Sequence, residues 1–462
     1  SLSALSPDSL FNVLFAALSS LCALVVLAGF DRSGRDAVAT GEERKGVRAL
    51  QCRFLAVFWL YKMADWLQGP YFVEVYSSKV LNGMQVSGSL VARLFLTGFG
   101  ATALFSAVVG GLVDSVGRKR SSLTFAFMYT LSALSTRCAT LPLLFAGRVA
   151  GGLGTSLLFS APEAWLVSEH VRSGFAPRTL SQTFGIAYFV DALVAICAGQ
   201  LAGAAATRGG PTAPFELSVG FLALGACIIL ATWTENVGGK AKQGAEGEVQ
   251  KGDGDGEGSG GESGGTIVRA AVGEMAKDSR ILLVGAVQAF FEGAMYIFVL
   301  QWPPAFKAAL SGAVPFGKVF SCFMVCCMIG SSLFSALAKR DVQPEKSLSA
   351  MLVVATASMA CATRACAGNL VALVASFFAF EGCVGMYFPL IGSLRSKYLP
   401  DAYRGVIMNL FGIPLNLIVV GVFLSIGKLG LSGALTCSTV ALALALAAGL
   451  GLRASAATES AV

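Results

Sequence analysis

The sequence predicts an all-α membrane protein: two six-helix bundles with one extra transmembrane helix in front. Three observations lead there. Of the 462 residues, 55% are hydrophobic and only 13% charged, whereas a soluble domain carries about 25% charged residues. A surface so poor in charge suits lipid better than water. Apolar runs long enough to cross a hydrocarbon core, about 20 residues each, recur along the whole chain. A polar stretch then divides those runs into six and six.

An outlying apolar run at 9–30 comes first, followed by a basic loop, so residues 1–52 form an added amino-terminal unit. The runs 54–76, 86–113, 120–138, 141–168, 180–206 and 215–233 make a first bundle over 53–234. The runs 281–303, 316–338, 348–365, 369–393, 405–426 and 430–452 make a second over 280–453, and 454–462 is a short tail. Between the bundles, 235–279 is expected to be a disordered linker, because 235–266 has almost no large apolar side chains to bury. Its DGDGEG opens like an EF-hand loop, but Gly264 stands where the bidentate glutamate is required, which excludes calcium.

Charge sets the orientation. Among the 34 lysines and arginines, Lys79, Arg137, Arg208, Lys307, Lys318, Arg364 and Lys428 fall in loops on one side. Lys62, Arg93 and Arg148 fall inside helices, and all the others lie in the opposite loops. By the positive-inside rule the linker and carboxyl end are cytoplasmic and the amino end is outside. The plasma membrane is the expected location. The chain begins at Ser1, so trimming is expected. No signal peptide is read, since the first apolar run lacks a basic leader.

Several chemistries are excluded. The basic residues are spread between helices, which argues against nucleic acid. Twelve cysteines include no CxxC pair, and His170 is the single histidine, so no metal site or cofactor is expected. Cys322, Cys326 and Cys327 read as small apolar fillers. No GxxxxGK[ST] loop occurs, nor HExxH, nor GxSxG with partners, so neither ATP nor enzymatic turnover is expected.

Candidate functional residues follow from depth. Asp65, Asp191 and Glu292 each lie twelve or thirteen residues beyond a basic helix start, which is about 18–20 Å at 1.5 Å per residue. Charges at such depth are costly unless they face a polar cavity or a partner. Glu381 lies at similar depth, and Glu163 lies nearer the cytoplasm. Lys62 sits one turn before Asp65 and Trp66 and is expected to pair within its own helix. Glu74 and Lys79 read as solvated. Trp66, Tyr71, Tyr296 and Tyr387 are candidate pathway residues, whereas Trp302 reads as belt or packing. Pro70, Pro162, Pro389 and Pro414 should bend their helices.

The stretch Gly110-Gly111-Leu112-Val113-Asp114-Ser115-Val116-Gly117-Arg118-Lys119-Arg120 resembles the loop 2–3 signature of the major facilitator superfamily. Further stretches are Ala64-Asp65-Trp66-Leu67-Gln68-Gly69-Pro70-Tyr71, Gly147-Arg148-Val149-Ala150-Gly151-Gly152, Gln288-Ala289-Phe290-Phe291-Glu292-Gly293-Ala294-Met295-Tyr296 and Gly385-Met386-Tyr387-Phe388-Pro389. Together they resemble the molybdate-anion transporter family of that superfamily. The resemblance implies the major facilitator fold and secondary active transport of a small solute, molybdate, by alternating access. It implies the lipid bilayer as surroundings and a monomer as the expected state. A carrier of another solute, or a non-transporting scaffold or sensor, would use the same fold.

On this resemblance the cavity is expected to hold Asp65, Trp66, Gln68, Tyr71, Arg93, Asp191, Glu292, Tyr296, Glu381, Tyr387, Asn409 and Asn416. Gating is expected of Asp114, Arg118, Lys119, Arg148 and Glu163. One departure stands out: Gly412 occupies a position where the family carries arginine, while Arg93 appears in the second helix. Arg93 is therefore a candidate replacement for the missing guanidinium.

Overall fold

The computed structural model describes residues 6–29, 41–81, 83–237, 264–310, 312–366, 368–400 and 404–459. The crossing helices are α1 (Pro7–Gly29), α2 (Gly41–Gln68), α4 (Gly88–Val116), α5 (Arg118–Ser135), α6 (Leu141–Leu158) with α7 (Ala161–Arg172), α8 (Pro177–Gly209) and α9 (Ala213–Thr232). After the linker come α11 (Ser279–Ala309), α12 (Phe316–Ala338), α13 (Pro344–Ala365), α14 (Leu370–Tyr398) and α15 (Arg404–Glu459). Ten helical stretches are long and apolar enough to span a bilayer. The last is broken at Gly430, whose positive φ of 64° ends one crossing and starts the next. The charged helices α2 and α5 complete the set.

Two predicted bends are visible. At Pro70 the second crossing tightens into a 3₁₀ turn, Gly69–Tyr71, before the short α3 (Phe72–Ser77). At Phe159–Ser160 the fifth crossing breaks, with Pro162 in the first turn of α7, where a missing N–H costs nothing. A two-stranded hairpin, β1 (Val80–Leu81) against β2 (Met84–Gln85), closes the turn between α3 and α4. The predicted linker is helical at its far end, as α10 (Gly264–Lys277), whose Ala271 is buried. The predicted tail continues α15 as helix to Glu459.

Each bundle has its own core. In the first, Phe54, Tyr61, Phe125 and Trp165 are fully buried, and in the second Phe291, Phe298, Phe306 and Phe323. Trp302 belongs to that second core, edge-on to Phe323 at 5.3 Å. Burying each such ring contributes on the order of 1.5–3 kcal/mol.

The bundles meet on the side away from the linker. Tyr71 packs edge-on against Phe316, Phe95 against Phe423 and Phe99 against Tyr296, and Trp66 lies tilted against Phe320. Glu74 forms an ion pair with Lys307. Gly199 of α8 and Gly317 of α12 touch so closely that a Cβ on Gly317 would lie 2.2 Å from the Gly199 carbonyl oxygen. Ser321 locks the same crossing by donating to the Ile196 carbonyl at 2.8 Å. These contacts seal the far half of the molecule.

α1 precedes the first bundle but packs on the second. Its Phe11 meets Phe306 at 5.7 Å, Asp8 pairs with Lys318 at 2.6 Å, and Cys22 joins Val325 and Met328.

Candidate functional site

Immediately on the linker side of the sealed layer, each bundle presents one cation paired with one carboxylate. In the first bundle Lys62 Nζ lies 3.5 Å from Asp191 Oδ2, joining α2 to α8. Trp66 Nε1 donates to Asp191 Oδ1 at 2.9 Å. The same indole touches Phe320 of the other bundle, which puts the pair at the boundary between the halves. Lys62 Nζ also lies 5.3 Å from the Trp66 ring centroid and 5.2 Å from that of Phe159, and such contacts are attractive for a desolvated ammonium. Phe159 and Tyr188 are both more than half exposed although each contacts a charged side chain, Lys62 and Glu163 respectively. They are exposed rather than packed in a core.

In the second bundle Glu292 of α11 is held by α14. Its Oε1 accepts from Tyr387 Oη at 2.9 Å and from Arg395 Nη2 at 3.3 Å. Arg395 Nε also donates to Gln288 Oε1 at 3.1 Å. Tyr387 and Arg395 are eight residues apart and so share one helix face, while Pro389 lies between them inside α14. Tyr296, one turn beyond Glu292, meets Phe99 of the first bundle. Glu292 and Arg395 therefore sit just under the seal, as Lys62 and Asp191 do.

The remaining candidates divide. Asp65 accepts from the Tyr129 hydroxyl, so it binds α5 within its own bundle. Tyr71 and Tyr296 belong to the seal. Gln68 is buried and donates to Ser218 Oγ at 3.1 Å, which turns it toward α9. Glu381 is 7% exposed and takes the Cys327 thiol at 3.0 Å, so it packs between α12 and α14 instead of lining the gap. Asn416 is half-buried twelve residues into α15. The side chains of Asn409 and Asp114 lie outside the described residues.

Arg93 is a correction. It is exposed in the second turn of α4, five residues from the far-side end at Gly88. Gly412 lies eight residues into α15 from the opposite end, so Arg93 does not take up the position that Gly412 leaves empty. Arg395 is the guanidinium paired with Glu292. Lys62 is a second correction, since its partner comes from α8 rather than from its own helix. Glu74, expected to be solvated, pairs across the bundles.

Among the gating candidates, Arg148 lies in the far half, with its guanidinium carbon 4.7 Å from the Phe72 ring centroid. Glu163 accepts from the Tyr188 hydroxyl. Lys119 is bound to the start of the linker: its Nζ donates to the Trp233 carbonyl at 2.7 Å, and its N–H to Glu235 Oε1 at 2.9 Å. Arg118 donates its N–H to the Asn236 carbonyl at 3.0 Å. Trp233 stacks on Trp165 at 3.8 Å. The basic loop and the first linker residues thus form one clamp.

Two bundles closing around paired charges define a multi-pass membrane transporter of major facilitator type. Residues 10–386 match the family model described as "Sugar-transporters, 12 TM". Similar solved structures include the peptide transporter POT in complex with sulfate (TM-score 0.66, 17% identity, covering 90% of this chain and 94% of that one). Another is a D-xylose-proton symporter (TM-score 0.63, 12% identity, covering 88% and 96%). Among curated proteins, the molybdate-anion transporter of Xenopus tropicalis is 32% identical over 380 residues, 80% of this chain and 77% of that one. That of Takifugu rubripes is 30% identical over 423 residues, 88% and 86%. The chain belongs to the molybdate-anion transporter family of the major facilitator superfamily.

Proposed function

We propose that this protein carries molybdate across a membrane by alternating access, with Arg395 and Lys62 as the groups that receive the oxyanion. The observation that carries the reading is the placement of one cation on each bundle, directly under the sealed layer. Arg395 is a planar donor suited to a tetrahedral oxyanion, and its present partner Glu292 is a carboxylate that an incoming anion can displace. Lys62 supplies a compact charge from the opposite wall. An anion bound to both would draw the bundles together on the linker side and loosen them on the far side. The names of the relatives support molybdate as the solute.

The linker side is assigned to the cytoplasm from the distribution of basic residues, and the plasma membrane is the proposed location. Purified protein in liposomes should take up molybdate saturably, and tungstate should compete. Deleting residues 240–262 should leave uptake within about twofold, a factor worth ~0.4 kcal/mol. Absence of saturable uptake in the intact protein would remove molybdate as the cargo.

A further inference from the structure

A groove of about 520 Å³ lies at the far-side end of the molecule, beside the Glu74–Lys307 pair. Its walls come from both bundles. Ser77 of α3 and Ser87 and Ser89 of α4 line it on one side, Gln301 and Lys307 of α11 and Gly430 of α15 on the other. Ser87, Lys307 and Gly430 are exposed, so the groove opens to far-side water. Lys62 and Arg395 lie on the opposite side of the seal and take no part in it.

The polar groups around the groove are donors in want of an acceptor. Gln301 is 5% exposed, yet its side-chain amide forms no hydrogen bond among the described residues. A buried amide without a partner is costly, and the groove is where a partner can stand. At the start of α4, Ser87 Oγ accepts the Leu90 N–H at 3.3 Å and lies 2.9 Å from Ser89 Oγ. The N–H groups of Gly88 and Ser89 donate to nothing among the described residues. They head a helix of 29 residues, whose dipole adds partial positive charge at that end. Lys307 gives one face of its ammonium to Glu74 and is 43% exposed, which leaves hydrogens to donate. Lys428 is exposed in the short stretch between Gly427 and Gly430, both of which line the groove, and adds a second cation at the rim. The nearby acid, Glu74, is engaged with Lys307.

We propose that this groove binds a tetrahedral oxyanion from the far-side solution and, by bridging the two bundles, holds the far side closed. A tetrahedral oxyanion offers an oxygen to each wall, whereas chloride is a single small sphere. The donors of α4 stand opposite those of α11 only while the far-side halves touch, because opening that side separates them. A ligand that needs both walls stabilises the closed state alone. The effect on uptake rests on the transport reading above, but binding in the groove does not. A high far-side concentration of the cargo anion then slows its own uptake, since the carrier must reopen toward that side in each cycle.

The test compares full-length wild type with Gln301→Leu, which removes the amide at similar size, and Gln301→Glu, which keeps the shape and repels an anion. Initial rates of molybdate uptake are measured in vesicles of known sidedness as the far-side concentration rises. Wild type should pass through a maximum and then fall about threefold, while both variants rise to a plateau and match wild type within about twofold at low concentration. A plateau without decline in wild type, or an equal decline in the variants, overturns the closing role. Binding is read without transport, on purified Arg395→Ala, whose inner site is impaired. Molybdate should raise its Tm more than chloride does at equal ionic strength, and adding Gln301→Leu should remove that difference. No difference in Arg395→Ala, or one that survives Gln301→Leu, overturns the site. If wild type takes up no molybdate, the cargo reading fails, and the Tm comparison still decides the groove.

Discussion

Arg395 and Tyr387, on either side of Pro389 in α14, both reach the same carboxylate oxygen of Glu292. One oxygen atom thus ties together the turns before and after a proline, whose nitrogen cannot donate the usual helical hydrogen bond. An anion that takes the guanidinium away from Glu292 removes one of these two ties. Anion binding and the contact between α11 and α14 are therefore linked through a single side chain.

Arg395→Ala should lower the rate of molybdate uptake at least tenfold, a change of about 1.4 kcal/mol. Arg395→Lys should recover only part of it, because an ammonium does not reproduce the planar pair of donors. Initial uptake rates at several molybdate concentrations would show the loss. Equal rates for all three proteins would remove Arg395 from the site.

Lys62 and Asp191 make the matching test on the opposite wall. Lys62→Ala leaves Asp191 nearly buried with only the Trp66 indole as donor, and removing one partner of a buried pair costs about 3–5 kcal/mol. Lys62→Ala with Asp191→Asn removes both charges and should be more stable than Lys62→Ala alone. Thermal unfolding in detergent measures this. Molybdate should stabilise neither variant as it stabilises wild type, since a ligand stabilises only the state it binds.

The far-side seal includes one ion pair, Glu74 with Lys307, whose lysine side chain is 43% exposed. Such a pair is worth ~0.2–1 kcal/mol, enough to shift the ratio of the two carrier states by up to about fivefold. Lys307→Ala should raise far-side opening, and Glu74→Lys combined with Lys307→Glu should restore it. Gln301 is buried beside Lys307 in a groove shared by both bundles. The labelling rate of Gln301→Cys, with reactive native cysteines replaced, would report the opening.

Much of this architecture is legible in the sequence because hydropathy and charge are local signals. The apolar runs locate every crossing, and Asp191 and Glu292 are placed by counting residues from a basic helix start. Partner choice is not local. Lys62 lies one turn from Asp65, yet it pairs with Asp191 because α8 passes closer than its own neighbour's carboxylate, which Tyr129 already holds. Arg395 reads as a loop charge because it falls beyond the apolar run, but α14 continues to Tyr398 and the long side chain reaches back. Its eight-residue spacing from Tyr387 was the available signal. Glu381 matches the cavity acids in depth, and depth does not reveal which way a helix face turns.

The clamp at the linker start predicts a stability effect apart from transport. Glu235 accepts the N–H groups of Lys119 and Arg120 at 2.9 and 3.1 Å, as an N-cap does for the first turn of α5. Glu235→Ala should cost about 1 kcal/mol, a fall of roughly 2–4 °C in Tm for a bundle of this size. Trp233→Ala should cost more, about 3–5 kcal/mol, since it also vacates the stack on Trp165.

Asp278 supplies a pH test at the start of the second bundle. It caps α11 by accepting the Arg280 N–H at 2.9 Å, and the Arg280 guanidinium lies 2.8 Å from its Oδ2. The hydrogen bonds from Arg280 hold the Asp278 carboxyl below the usual aspartate range. A depressed folded-state pKa stabilises the protein above the unfolded value, about 3.9, and that contribution disappears as pH falls through the folded value. Asp278→Asn retains the cap but not the charge, so it isolates the ion pair. At pH 7 the variant should be less stable by ~0.2–1 kcal/mol. The gap should narrow below about pH 4, where wild type loses the same charge. A constant gap in Tm from pH 7 to pH 3 would mean that the ionised carboxylate contributes nothing at this helix start.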